Sequence, residues 1–135
     1  MIAELTGLKA RIETLTYPAF IVWATTPPAQ YVVLGAKGWE SPESALCTTS
    51  SSIDTDIRVR AVTGTPEGVV IMLDRIRNLL SPSLAETKIT VAGRDVAIRF
   101  VRSEFIDIDQ DTTITGTNRH PAFGVDTYRL ISEPV

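Results

Sequence analysis

The clearest alternation of hydrophobic and polar positions lies in residues 53–80. Over Ile53–Val62, apolar or small residues alternate with charged ones, and a period of two predicts a strand with one buried and one exposed face. Thr65 and Pro66 then suit the cap and the first position of a helix. Apolar residues recur after them at helical spacing, at Val69, Met72, Leu73, Ile76, Leu79 and Leu80. We therefore predict a helix that lies on a sheet and buries this stripe as core.

The rest of the pattern adds a second helix and several strands. An apolar stripe over Ile2–Leu15 predicts an N-terminal helix. The polar link Ala92-Gly93-Arg94-Asp95 predicts a hairpin whose second arm bends near Ser103. Strands are predicted from β-branched or alternating runs at Tyr31–Leu34, Thr87–Val91, Val96–Val101 and Phe123–Ile131. Phe20–Trp23 is a short apolar segment, so two or three strands precede the central helix. The predicted fold is α+β in a single domain, 1–135, with a mixed or antiparallel sheet of about five to six strands, one long central helix and the N-terminal helix.

The exposed face of the strand at 53–62 carries two acidic residues followed by two basic ones. It combines Asp54 and Asp56 with Arg58 and Arg60. One interpretation is a solvated outer face. The other is an interface with another protein chain, because evenly spaced charges also set the register of two partners.

Residues 35–52 show no apolar period and predict a long loop. Loops of this length within a compact domain are commonly functional or disordered. Trp39, followed by Glu40, lies inside it. Trp39 either anchors a neighbouring chain or packs against its own domain, since buried tryptophans commonly anchor interfaces.

Composition restricts the classes of function. A chain of 135 residues can bury a core without disulfides, and its single cysteine, Cys47, cannot form one internally. The net charge of -3 argues against a nucleic-acid binder that neutralises phosphates with a basic face. The longest apolar run, Ala19–Ala24, is too short to span a bilayer, and we see no secretory signal, so we expect synthesis inside a cell and no membrane partner.

A cluster of aspartates at 107–111 is the best candidate for a metal site. Asp107, Asp109 and Asp111 begin like a calcium loop, but the positions that require glycine and glutamate hold Thr112 and Asn118. We therefore predict no metal. The cluster is instead a solvated acidic turn or an acidic surface that faces a channel or a basic partner.

No spacing in the sequence supports catalysis or cofactor binding. His120 is the only histidine, and it would need Cys47 or a serine brought to it by the fold to act as a base. The glycines form no phosphate-binding loop. We predict that the protein is not an enzyme and has no cofactor.

The order of elements resembles that of the tail terminator (tail completion) proteins of long-tailed, non-contractile bacteriophages. After the N-terminal helix, the resemblance rests on Pro27–Leu34, the strand Ile57–Val62, the helix Val69–Leu80 and the final Tyr128–Ile131. It extends over nearly the whole chain.

The resemblance implies an α+β protomer that assembles into a hexameric ring in the virion, built in the host cytoplasm. Such a ring caps the head-proximal end of the tail tube, stops tube polymerisation and joins the tail to the head–tail connector. Its partners would be other copies of the chain, the tail tube protein and the connector. Genome DNA would pass through without specific binding, and an acidic lumen would repel its phosphates. The family has no catalytic residues.

Two other functions remain open from the sequence. The protein could be a different phage neck component, such as a head-closure adaptor, which would bind the portal side instead of the tube. It could also be a small ligand-binding α+β domain, which would need a deep pocket with convergent polar groups.

Overall fold

The structure, a computed structural model, describes residues 2–22, 28–36, 53–104 and 122–134. These residues form two α-helices, a short 3₁₀ turn at Pro82–Leu84 and one sheet. In chain order the elements are α1 (Ile2–Glu13), β1 (Ala19–Ile21), β2 (Tyr31–Ala36), β3 (Ile53–Thr63), α2 (Pro66–Leu80), β4 (Thr87–Val91), β5 (Arg94–Ser103) and β6 (Ala122–Pro134). The predicted α+β class is confirmed.

Within the described residues the sheet has six strands, in the order β1-β2-β3-β6-β5-β4. Strand β1 is parallel to β2, and all other neighbours are antiparallel. The two central strands, β3 and β6, pair over eleven positions, from Ile53 opposite Ser132 to Thr63 opposite Ala122. These long strands, which come from opposite halves of the chain, form the middle of the fold.

Helix α2 covers one face of the sheet, as its apolar stripe predicts. It contacts β3, β5 and β6, and it buries Val69, Met72, Leu73, Ile76 and Leu80. Thr65 is confirmed as the cap, since its Oγ1 accepts a hydrogen bond from the Gly68 amide at 3.1 Å. Burying five such side chains contributes on the order of 10 kcal/mol before conformational entropy is subtracted. We call the face toward the helices the inner face.

Helix α1 lies on the same face and reaches both edges of the sheet. It contacts β1 and β2 on one side and β4 on the other, so the sheet curls around it. At the β4 contact, Gly7 lies against Val91, and a Cβ placed on Gly7 would be 2.8 Å from both γ carbons of the valine. The missing side chain of Gly7 lets the helix approach this edge.

Two buried ion pairs attach the helices to β5 and β6. Glu4 of α1 lies 3.1 Å from Arg94 Nε and accepts a 2.8 Å hydrogen bond from Ser132 Oγ. Burial alone would raise the pKa of Glu4, but hydrogen bonds, including that from Ser132, hold it below its usual value.

The second ion pair attaches α2 to β6. Arg77 of α2 donates bidentate hydrogen bonds of 2.9–3.2 Å to the fully buried Asp126. Burial raises the pKa of Asp126, an effect that Ser103 and Arg77 oppose.

The structure corrects several predicted boundaries. Helix α1 ends at Glu13 and not at Leu15, because residues 14–16 form a turn in which Thr16 has a φ of 67°. The hairpin link is only Ala92-Gly93, with φ values of 50° and 75°, as a tight turn with two left-handed residues requires. The predicted bend near Ser103 is a bulge between Phe100 and Arg102. Pairing with neighbouring strands extends β2 to Ala36 and β6 to Pro134, beyond the ends that their own patterns indicate.

Candidate interaction face

The face of the sheet opposite the helices, which we call the outer face, carries the charged residues predicted on β3. Because side chains alternate along a strand, Asp54, Asp56, Arg58 and Arg60 lie on this face beside the odd-numbered residues of β6. Both described helices pack on the other side. The outer face is therefore the surface of the sheet that the described helices leave open to other molecules.

The charges of β3 do not neutralise one another along the strand. The partner of Asp54 is Arg129 on β6, with N–O distances of 2.7 and 3.1 Å. This hydrogen bond lowers the pKa of Asp54. Arg129 is directly opposite Asp56 and diagonal to Asp54, and its long side chain reaches Asp54 across the strand pair.

Arg58 and Arg60 lie beside a groove in the outer face, which we call the arginine groove. Both arginines are exposed, and within the described residues neither forms an ion pair. The groove has a volume of about 370 Å³, is open to solvent, and is lined by Val22, Val33, Leu34, Gly35, Arg58, Arg60, Glu104, Phe123 and Val125. The Arg60 guanidinium lies 4.3 Å from the centre of the Phe123 ring.

The arginine groove is chemically suited to another protein chain. Its half-buried floor of Val33, Phe123 and Val125 supplies apolar contact area, and its two arginines can bind carboxylates. Arginine and aromatic residues are enriched where protein interfaces gain most of their binding energy. The stacked Phe123 holds Arg60 in place, which reduces the entropy that the arginine loses on binding.

The described residues contain no grouping of three His, Cys, Asp or Glu side chains that could hold a metal ion. None of the described helices has the length and apolar character needed to cross a membrane. The remaining predicted site residues, Trp39, Glu40, Asp107, Asp109 and Asp111, lie outside the part of the chain that the structure describes. So do Cys47 and His120. Their roles stay predictions.

The apolar side of the groove has no signal in the sequence. The alternation of Phe123–Ile131 is visible in the sequence, but it gives no sign of which alternate set faces the helices. Register decides this, since Phe123 is opposite Val62 and Val125 is opposite Arg60. Comparison of the chain with protein-family models and with curated protein sequences finds no match.

Proposed function

We propose that this protein is a structural subunit that binds neighbouring protein chains through the outer face of its sheet. One observation carries this proposal: Arg58 and Arg60 are exposed without an ion pair among the described residues, directly beside an apolar groove. A face that contacts only solvent does not require an apolar groove beside its charges. A partner that brings carboxylates and apolar side chains would satisfy both parts of the groove.

More specifically, we propose that the protein is a tail terminator of a long-tailed, non-contractile bacteriophage. The support is the resemblance in element order over nearly the whole chain, from the N-terminal helix through β3 and the central helix to the last strand. In this role, hexameric rings of the chain cap the head-proximal end of the tail tube, stop its growth and bind the head–tail connector. The net charge of -3 suits a ring through which DNA passes without adhering.

The test is tube assembly with the cognate tail tube protein. Negative-stain microscopy of tubes grown with and without this protein should show tubes of uniform, capped length only when it is present. Mass photometry should detect assemblies near six copies. Tubes of unchanged length distribution, with no protein bound at their ends, would contradict the terminator role.

The same experiment separates the alternatives. A neck adaptor would leave the tube length unchanged and bind the portal side, which a pull-down with the portal protein detects. The participation of the groove is tested with Arg58→Glu/Arg60→Glu, with Arg11→Glu as the matched control because Arg11 is also an exposed arginine but lies on α1, away from the outer face. We expect the double variant to lose capping and the control to keep it.

A further inference from the structure

The corner of the outer face farthest from the arginine groove carries the opposite charge. Glu86, Asp95 and Glu133, all exposed, line a shallow depression of about 240 Å³ together with Lys88. We call these three carboxylates the acidic patch. Three acidic groups against one lysine give this corner a net negative charge, and none of the four forms an ion pair among the described residues.

The acidic patch and the arginine groove lie on separate parts of the face. Strand β6 contributes to both, Val125 to the groove and Glu133 to the patch. Eight residues of antiparallel strand separate these two positions by roughly 27 Å. Both arginines of the groove lie on β3, on one side of β6, and only Glu104 of the groove lies on the β5 side, at the end of β5 far from the patch; the patch lies on the β5 and β4 side. One ligand the size of a side chain cannot touch both.

Neighbouring charges weaken the patch but leave it acidic, because Arg99, the next outer-face position after Ala97 on β5, adds one positive charge to that of Lys88 against three carboxylates. Glu104, at the edge of the groove, lies 3.1 Å from Arg102 and is therefore balanced by an arginine other than Arg58 and Arg60. Between the two surfaces, Asp54 is balanced by Arg129. The outer face is thus positive at the groove and negative at the diagonal corner.

The curl of the sheet decides how two such faces can meet. Because α1 contacts both edges of the sheet from the inner side, the outer face is convex, and its two ends point in different directions. Two convex faces that pack about a two-fold axis touch near their centres and leave their ends apart. Contact between the groove of one copy and the patch of another is head-to-tail, the kind of contact that builds rings or filaments.

We propose that the arginine groove is the docking site for the acidic patch of a second copy of this chain. The inference rests on the proposed function and specifies the subunit contact of that assembly. Glu86, Asp95 and Glu133 of one copy lie against Arg58 and Arg60 of the next, and the apolar floor of the groove takes the apolar side chains beside the patch, Ala97 and Ile131.

Charge reversal on each side tests the contact. The groove variant is Arg58→Glu/Arg60→Glu, and the patch variant is Glu86→Lys/Glu133→Lys. The matched controls are Arg11→Glu on α1 and Asp74→Lys on α2, both at exposed positions away from the outer face. Self-association is measured by sedimentation velocity and mass photometry over a concentration series at low salt. Circular dichroism checks that each variant is folded.

The wild type and both controls should associate, and each double variant should associate about 100-fold more weakly, because like charges then face each other. Mixing the two variants should restore association, since the acidic groove of one then meets the basic patch of the other. Raising the salt should weaken the wild-type contact, because exposed charges are screened over about 8 Å at 0.15 M.

Three results would overturn the proposal: a wild type that stays monomeric at every concentration, variants that associate like the wild type, or a mixture that stays monomeric. The tail role fails by a different result. If copies associate through these surfaces but tube length is unchanged, the terminator function is contradicted and the proposed subunit contact is still supported. If the groove and patch variants cap tubes normally, the proposed subunit contact is contradicted and the terminator function is still supported.

Discussion

At the scale of single residues, the direction in which a charged side chain points decides what it does. Arg77 points into the domain, where it meets a fully buried carboxylate and lies 4.4 Å from the centre of the Phe100 ring. Arg58 and Arg60 point outward and form no ion pair among the described residues. The first arginine is needed by the fold, and the other two are available to a partner.

Replacing Arg77 by methionine should lower the free energy of unfolding by about 3 kcal/mol, because it leaves Asp126 charged and unpaired in the interior. Denaturant titration at neutral pH measures the loss. The control Arg99→Met, at an exposed position, should stay within about 0.5 kcal/mol of the wild type. An Arg77→Met protein as stable as the wild type would show that the buried pair contributes nothing.

The loss caused by Arg77→Met should also depend on pH. Arg77 is one of the groups that lower the pKa of Asp126, so its removal raises that pKa further above the ordinary value of 3.8. An acid whose pKa is raised by folding destabilises the protein as the pH rises between its unfolded and folded pKa values. The deficit of the variant should therefore be largest at neutral pH and should narrow as the pH falls toward 3.8. If the stability deficit of the variant is the same at every pH, the deficit comes from lost packing and not from the charge of Asp126.

At the scale of elements, the contact between α1 and β4 explains a residue that looks unfavourable in the sequence. A glycine within a helix costs about 1 kcal/mol relative to alanine, and Gly7 weakens the predicted N-terminal helix for that reason. The structure shows the compensation: the helix lies so close to β4 that any side chain at position 7 would meet Val91.

Gly7→Ala should destabilise the protein by about 1–2 kcal/mol despite its better helix propensity, because the stiff β-branched Val91 cannot move aside freely. Thr6→Ala, at an exposed position of the same helix, serves as the control and should be near neutral. The double variant Gly7→Ala/Val91→Ala should lose less stability than the sum of the losses of the two single variants, because the smaller Val91→Ala side chain makes room for the new methyl group. Simple additivity in thermal unfolding would contradict the close approach.

At the scale of the whole molecule, stability should be graded across the sheet. Strands β3 and β6 pair with each other over eleven positions and are each flanked by a further strand. Among the strands that the structure describes, β1 and β4 form the two edges, and each pairs with one neighbour. Since local opening exposes the elements with the fewest partners first, the edges should open without the centre.

Hydrogen exchange of the backbone amides tests this gradient. Amides of β3 that donate to β6 should exchange at least about tenfold more slowly than those of β4, a difference of about 1.4 kcal/mol in opening free energy. Their protection should equal the global free energy of unfolding measured by denaturant. Equal protection in β3 and β4 would show instead that the whole sheet opens as one unit.

The local physics of the chain determined the secondary structure of its central part without tertiary information. The alternation at 53–62, the Thr65-Pro66 start and the apolar stripe of α2 depend on neighbours within a few residues, so sequence predicts them correctly. The exposed side of β3 was also predictable, because its charges favour water. Interface roles for Trp39, Glu40 and the aspartates at 107–111 remain predictions from the sequence alone.

Register and curvature were decided only by the tertiary structure, because they depend on residues far apart in the chain. Phe123 and Val125 join Arg60 in one groove because β6 pairs antiparallel with β3. The alternation of hydrophobic and polar residues in either strand does not predict that pairing. Arg77 meets Asp126 from 49 positions away, although both would be expected at the surface by residue type. The curl that separates the groove from the acidic patch arises because α1 packs against both edges of the sheet, a global contact that no local pattern encodes.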